Sequence, residues 1–328
     1  MGAGRMGELH ARNAAANPRL DLHWIADNDP ARAQALAAAC GARAASFDQI
    51  LANPEVKGVI VATSTDALLE SGLACLRAGK AVFSEKPLSL SVDALEAATV
   101  LVDPAAPLFV AFNRRFDPHF AQLKERLDAG EVGALETLHL INHDPATPSL
   151  TFIPRSGGLF KDFTIHDFDT AAWLLNEPVT EVFAWASCVI DPAIGDAGDV
   201  DTAKLILKTG SGKLCLISNS RRTGYGYDQR IEAFGSKGAL RVGNVQPTTV
   251  TRWDEGGPEG DAFHYAFPDR YAEAYRRELD HFADMIDHGE APRTGYRDAL
   301  AALRLAEAAG ESARTGTVIA LAGGMANV

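Results

Sequence analysis

Cysteine is scarce. Cys40, Cys75, Cys188 and Cys215 are the four in the chain, and none stands in a CxxC pair or at zinc-ligand spacing. This excludes a disulfide framework or a structural zinc as the organising device, and the four read as small buried hydrophobes in a reducing compartment. Long apolar runs are missing too: no stretch of about 18 apolar residues is present to span a bilayer, and the N-terminus has no signal-peptide h-region. The expected location is cytoplasmic. Positive charge is also in short supply, with 31 Lys and Arg against 43 Asp and Glu and a formal charge of −12. That argues against a nucleic-acid groove or an anionic membrane surface, both of which need clustered cations. There are no internal repeats. What remains is 328 residues at 47% hydrophobic content, enough for two domains with separate cores and a small-molecule ligand.

The chain opens Met1-Gly2-Ala3-Gly4-Arg5-Met6-Gly7, a G-x-G-x-x-G that runs directly into a helical pattern over residues 8–17. Glycines at these spacings let the backbone approach a pyrophosphate, whose charge then rests on the N–H groups of a helix start. Residues 20–26 read as a strand ending at Asp27, about 20 residues beyond the last glycine, where a carboxylate takes ribose hydroxyls and repels a 2′-phosphate. NAD is therefore expected over NADP. The competing reading of Asp27 is an Asx-turn residue in Ala-Asp-Asn-Asp-Pro. Only Met1 precedes the first glycine, whereas the fingerprint should follow a central buried strand. The expectation is that about seven native residues are lacking, leaving two strands without a shared partner.

Helix and strand then alternate. Residues 30–40, 45–51, 66–78 and 91–102 read as helices; residues 58–62, 81–84 and 108–112 read as short apolar strands. This grammar predicts an α/β domain with an open, doubly wound parallel sheet, its ligands at the carboxyl ends of the strands. Thr63-Ser64 and Glu85-Lys86-Pro87 fall at such ends. A lysine held there can hydrogen-bond a substrate hydroxyl and stabilise a developing alkoxide. Pro87 fixes the turn, with a cis bond allowed; a solvated surface lysine is the plainer alternative.

Gly157 to Asp169, read as GGLFKDFTIHDFD, carries the densest chemistry. If helical from Phe160, it places Asp162, His166 and Asp169 at i, i+4 and i+7 on one face. The alternative is a polar face with a local Asp/His pair.

These stretches together resemble the Gfo/Idh/MocA family of oxidoreductases. The resemblance is carried by Gly2 to Gly7, Ala26-Asp27, Val61-Ala62-Thr63-Ser64-Thr65-Asp66, Glu85-Lys86-Pro87 with the residues before it, Phe112-Asn113-Arg114-Arg115-Phe116-Asp117, and Ser156-Gly157-Gly158 through Asp162, His166 and Asp169. Within the family, Asn142-His143-Asp144-Pro145, Tyr225 to Arg230 and Phe234 to Gly238 are similar to the pattern of inositol 2-dehydrogenases. The chain departs from many members at Ser64 and Leu68, where Pro and His are usual. The resemblance implies oxidation of a secondary alcohol on a cyclic polyol or sugar, with hydride passing to NAD. His166 would be the general base, Asp162 its orienting partner and Lys86 the group holding the reacting oxygen. Arg114, His143, Asp169 and Tyr227 would bind other hydroxyls, while Gly2, Gly4, Arg5, Met6, Gly7, Asp27, Thr63, Ser64, Glu85 and Lys86 would line the cofactor. No metal is expected.

After residue 115 the grammar changes. Residues 136–142, 180–190, 202–208, 213–220, 229–234 and 239–242 read as strands, several joined by glycine turns. This predicts an α+β domain with a large, mostly antiparallel sheet. The expected division is 1–113 for the NAD-binding domain and 114–328 for the substrate domain, with a last helix at 294–315 packing back on the first. The resemblance implies a homodimer or homotetramer formed through the sheet's open face. The acidic loop 191–201 carries no usable signature. Competing functions are a metal-dependent hydrolase or lyase using Asp162, His166 and Asp169, a non-catalytic sensor of nucleotide or sugar, a dehydrogenase of another sugar, and a nucleotide-recycling oxidoreductase that keeps its cofactor.

Overall fold

Short polar side chains set the helix starts. Asp29, Ser46, Ser91 and Asp117 each accept a backbone N–H from the first turn that follows, caps worth ~1 kcal/mol each. The computed structural model describes residues 1–321 and divides them into two units, Met1–Phe116 with Glu273–Leu303, and Asp117–Ala272 with Arg304 onward.

The first unit runs α1 (Arg5–Ala16), β1 (Trp24–Ile25), α2 (Pro30–Cys40), β2 (Arg43–Ala44), α3 (Phe47–Ala52), β3 (Gly58–Val61), α4 (Thr65–Arg77), β4 (Ala81–Ser84), α5 (Val92–Ala98) and β5 (Leu108–Val110). Every pairing is parallel, in a two-stranded piece β1-β2 and a three-stranded piece β3-β4-β5. All four residues of β4 are buried, as a strand covered on both faces requires. Met1 and Gly2 link the two pieces: Ala62 N–H donates to Met1 O at 2.8 Å and Gly2 N–H to Ala26 O at 2.8 Å. The α-amino group donates to Ile60 O at 2.6 Å, and its burial pushes its pKa down to about 6. The strand expected over 20–26 contracts to two residues because β2 supplies only two partners.

The second unit holds α6 (Pro118–Asp128), β6 (Leu135–His143), α7 (Ile153–Ser156), a π-helical stretch Leu159–Thr164, α8 (Ile165–Leu175), β7 (Val179–Ser187), α9 (Pro192–Asp196), β8 (Thr202–Thr209), β9 (Leu214–Ser220), β10 (Asp228–Gly235), β11 (Gly238–Val242), β12 (Thr251–Asp254), β13 (Gly257–Gly260) and α10 (Phe267–Arg270). The large sheet has the order β11-β10-β6-β9-β8-β7-β14, with β14 at Ile319–Ala320. Only β6-β9 is parallel; the other pairs are antiparallel. Register aligns side chains into rows, and alternation gives the rows opposite faces. One face carries Ala184, Leu205, Ile217, Leu140 and Ile231, all buried. The other carries Phe183, Ile206, Leu216, His139 and Glu232 in one row and Trp185, Lys204, Ser218, Ile141 and Arg230 in the next.

Two helices close the chain, α11 (Ala272–His288) and α12 (Tyr296–Thr315). α11 from Glu273 onward groups with the first unit, where Phe282 sets its ring edge-on to Phe83 at 5.8 Å. α12 is shared, Leu303 being the last residue of the first unit. Two separate segments of the chain thus build the first unit.

Candidate active site

Three glycines of the N-terminal loop have three separate reasons. Gly2 has φ +86°, and a Cβ there would lie 2.3 Å from Ala62 O. A Cβ on Gly7 would lie 1.8 Å from Gly2 O, so α1 rests directly on the loop. Gly4, the N-cap of α1, faces open space with nothing within 4 Å of a built Cβ and no side chain capping the helix. First and third glycines close the turn and the packing; the second leaves a cradle beside the start of α1. That cradle suits a pyrophosphate. Asp27 serves both of its readings: Oδ1 accepts the N–H of Asp29 at 2.8 Å in an Asx turn, while Oδ2 accepts the N–H of Ala3 at 2.6 Å and pins the glycine loop. Burial alone would raise its pKa, but these two N–H donors outweigh it and hold the carboxyl below its usual range. Arg5 is exposed and Met6 half-buried on the first turn of α1; after β3, Thr63 is half-buried and Ser64 exposed.

Glu85 and Lys86 follow β4 directly, and the Lys86–Pro87 bond is cis. Lys86 is half-buried. Glu85 turns inward: Oε1 is 2.5 Å from His10 Nε2 and Oε2 accepts the Lys86 N–H at 3.2 Å. Its carboxylate is thereby engaged within the protein. Arg114 lies buried in the 3₁₀ turn Asn113–Phe116 of this same unit.

In the second unit, the π-helical stretch alters the expected geometry. A π turn closes i→i+5 rings and spaces side chains differently from an α-helix, so Asp162 does not continue the register of α8. From Ile165 the helix is regular, and His166 and Asp169 stand one turn apart, half-buried and 2% exposed respectively. Asp162 accepts from Arg221 Nη1 at 3.3 Å. Arg221 itself is buried, with Asp144 at 3.8 Å, Asp199 at 4.0 Å and the Phe163 ring 5.1 Å away. Nothing in a lone Arg after a strand signalled this three-carboxylate cluster.

A row of buried amides fixes α8 to the sheet. Asp167 Oδ2 accepts from Asn142 at 2.9 Å and from Asn219 at 2.8 Å. Thr164 donates to Asn219 at 2.7 Å, Gln229 donates to Asn142, and Tyr271 OH donates to Gln229 at 3.0 Å. Period-two alternation puts Asn142 on the α8 side and the next residue, His143, on the other. His143 accordingly meets Ser218 Oγ at 3.0 Å and has Asp228 at 3.8 Å; the structure does not bring it to α8. Burial lowers its pKa. Tyr227 is buried against Tyr271, ring centroids 6.1 Å apart, beside the amide row.

A cavity of about 500 Å³ opens in this unit beside Gly157 and Gly158, lined also by Phe160, Asp199 and Arg314. Asp162, His166 and Asp169 are not among its lining residues. Elsewhere, His281, Asp284 and Glu290 converge as metal ligands would. However, His281 Nε2 accepts the Arg293 N–H at 3.0 Å, which leaves the ring proton on Nδ1, and Asp284 is paired with Arg19 at 2.7 Å. Among the described residues no helix is long and apolar enough to cross a membrane.

Residues 1–110 match the oxidoreductase family with an NAD-binding Rossmann fold, and residues 120–241 match the GFO/IDH/MocA C-terminal domain. The chain is 44% identical over 310 residues to an inositol 2-dehydrogenase of Rhizobium meliloti, covering 94% of each. It superposes on the crystal structure of a myo-inositol dehydrogenase from Corynebacterium glutamicum with TM-score 0.94 and 38% identity, over 98% of this chain and 97% of that one. A scyllo-inositol dehydrogenase from Lactobacillus casei, crystallised with NAD(H) and scyllo-inositol, matches with TM-score 0.90 and 27% identity over 98% of both chains. Agreement of both halves in sequence and of the whole described fold in structure makes this chain a member of the Gfo/Idh/MocA oxidoreductase family, with an NAD-binding Rossmann domain at its N-terminal end.

Proposed function

We propose that the protein oxidises a secondary alcohol of a cyclic polyol, most closely an inositol at the 2-position, with NAD as hydride acceptor. The observation that carries this reading is the coexistence of a glycine-shaped anion cradle tied down by Asp27 with a helix presenting His166 and the buried carboxylate Asp169. The relatives whose names specify inositols support the substrate class. When bound, NAD supplies the hydride-accepting carbon. The protein's own residues do the rest: His166 takes the hydroxyl proton, Lys86 holds the reacting oxygen as negative charge develops, and Asp169 accepts from a neighbouring hydroxyl. Asp162, bonded by Arg221, is the orienting partner of His166 in this reading. Tyr227 and Arg114 are retained as hydroxyl-binding groups. A site built to bond hydroxyls rejects a stereoisomer that leaves them unpaired, at about 1–3 kcal/mol per orphaned group.

Asp27 places negative charge where the 2′-phosphate of NADP would come, which favours NAD. A homodimer or homotetramer formed through the open face of the large sheet fits the apolar residues exposed there. The test is reduction of NAD and NADP, followed by absorbance, against a panel of inositols and sugars. His166→Ala should lower kcat by roughly 10²- to 10⁴-fold while leaving NAD affinity near its original value. Unchanged kcat would remove His166 from the mechanism, and silence with every polyol would favour a sensor of nucleotide or sugar.

A further inference from the structure

Asp167 lies between His166 and Asp169 in the chain and has no part in the chemistry above. At about 100° per residue it leaves α8 about 100° round from His166 and about 160° from Asp169, while those two stand about 60° apart. The helix is regular here: Thr170 Oγ1 donates to His166 O, one turn back, at 2.7 Å. Asp167 is 1% exposed, and its Oδ2 accepts from Asn142 Nδ2 on β6 at 2.9 Å and from Asn219 Nδ2 on β9 at 2.8 Å. Asn142 and Asn219 stand opposite each other in the parallel register of those strands. One carboxylate oxygen is thus gripped from two neighbouring strands.

Both amides are themselves held. Asn142 Oδ1 accepts from Gln229 Nε2, and Gln229 Oε1 accepts from Tyr271 OH at 3.0 Å; Asn219 Oδ1 accepts from Thr164 Oγ1 at 2.7 Å. With their oxygens so engaged, the NH2 groups face Asp167, and neither amide turns over without losing two bonds. The other buried residues of α8 include Ile165, Phe168, Ala171, Leu174 and Leu175. Apolar packing of that kind is non-directional, whereas a hydrogen bond weakens steeply off its axis and so fixes a rotation. Thr164 stands at the N-cap of α8 but makes no capping bond, and the π-helical stretch before it breaks the register. A rotation of about 15° carries a group about 6 Å from the helix axis through about 1.5 Å. Misplacement by about 1 Å can slow a reaction about 100-fold.

We propose that Asp167 is a positioning residue for the oxidation: clasped by Asn142 and Asn219, it fixes the rotation of α8 about its axis and so the direction in which His166 and Asp169 point. The proposal rests on the reading of His166 as the base and of Asp169 as a hydroxyl acceptor.

Single-turnover formation of NADH by the full-length protein, followed by stopped-flow absorbance at saturating NAD and myo-inositol, tests this. Loss of folded protein lowers the amplitude, whereas misdirection lowers the rate constant. Asp167→Ala should slow the rate constant about 30-fold, and Asp167→Asn, which keeps an acceptor oxygen for the two amides, should stay within about threefold of wild type. In a His166→Ala background the same Asp167→Ala change should cost far less, because the group it aims is gone; full additivity overturns the proposal. So does a reduced amplitude at an unchanged rate constant, or an Asn variant as slow as Ala. Should Asp167→Ala not fold, Gln229→Met leaves Asp167 in place and frees the Asn142 amide to turn, which should slow the rate constant about fivefold; no change overturns the proposal. Failure of the underlying reading is separable. His166→Ala with an unchanged rate constant sinks the role of His166, whereas a slow His166→Ala beside a wild-type rate for Asp167→Ala sinks the clasp alone.

Discussion

At the scale of single residues, two glycines of the same loop and helix start, Gly4 and Gly7, should behave oppositely on gaining a methyl group. Gly7→Ala drives Cβ into Gly2 O at 1.8 Å, so the helix must lift off the loop, and the fold should lose several kcal/mol. Gly4→Ala meets nothing within 4 Å and costs about 1 kcal/mol at an N-cap, where Gly is preferred to Ala, yet its methyl occupies the approach of the pyrophosphate. The expected outcome for Gly4→Ala is a small drop in urea midpoint, far below that of Gly7→Ala, with NAD affinity weakened at least about tenfold. Retained affinity in fluorescence titration would show that the cradle is not where the phosphates sit. Glu278 gives a second residue-scale prediction, through pH. Because burial raises its folded pKa above 4.5, the native state keeps a proton that the unfolded chain releases, and stability falls as pH rises beyond the unfolded value. Glu278→Gln should remove this slope, so the midpoint difference between variant and wild type should widen from about pH 5 to about pH 8. A difference independent of pH would contradict it.

Among elements, α8 is held by polar bonds more than by its caps. Asp167→Ala would leave the Asn142 amide buried without its acceptor, at about 1–3 kcal/mol, and the Asn219 amide with only the Asn142 carbonyl at 3.4 Å, whereas Asp167→Asn retains one acceptor oxygen and should lose less. Urea denaturation checks the order; equal losses for the two variants would refute the network's role. This network also marks the limit of legibility. The parallel strands, the glycine loop, and five of the six strands expected in the second half could be read because local period and turn residues specify them; β7 was also anticipated but stops at Ser187, short of residue 190, where Asp201 gathers the N–H groups of Val189, Ile190 and Asp191. That same carboxylate ties down the start of the acidic loop. Asn142 was passed over for His143 because an ionisable side chain attracts attention, while the face it occupies depends on a register set by β9 and β10. The π-helical stretch before α8 was equally hidden, since Leu159–Thr164 has the composition of an ordinary helix. The hairpin β12-β13, centred on Asp254-Glu255-Gly256-Gly257, lacks the alternation that makes strands visible, its residues being almost all exposed.

For the whole molecule, a formal charge of −12 means that copies repel at long range, over about 8 Å at physiological ionic strength. The self-association proposed above would therefore draw on short-range apolar burial, for which the open face of the large sheet offers Trp185, 68% exposed, Phe234, 50%, and Ile206, Leu214 and Leu216. Exposed contiguous apolar surface of this kind marks an interaction site. Ile206→Glu and Trp185→Glu should each shift the protein toward monomer in light-scattering chromatography without lowering its urea midpoint by more than about 0.5 kcal/mol equivalent. The same face carries two histidines whose protonation would bear on that assembly. Burial holds His139 and His143 below their usual pKa, with Lys204 and Arg230 lowering both further and Glu232 and Asp228 opposing. Covering the face deepens that burial, so the assembled state binds fewer protons than free subunits, and association should weaken as pH falls through the ordinary histidine value of 6.5. Protonation would add two cations beside Lys204 and Arg230 in a surface that has to become dry. Mass measured at about pH 7.5 and about pH 5.5 should therefore differ, and His139→Gln with His143→Gln should abolish the difference. A mass that is the same at both pH values, or one that still changes in the double variant, would place the assembly interface away from this face.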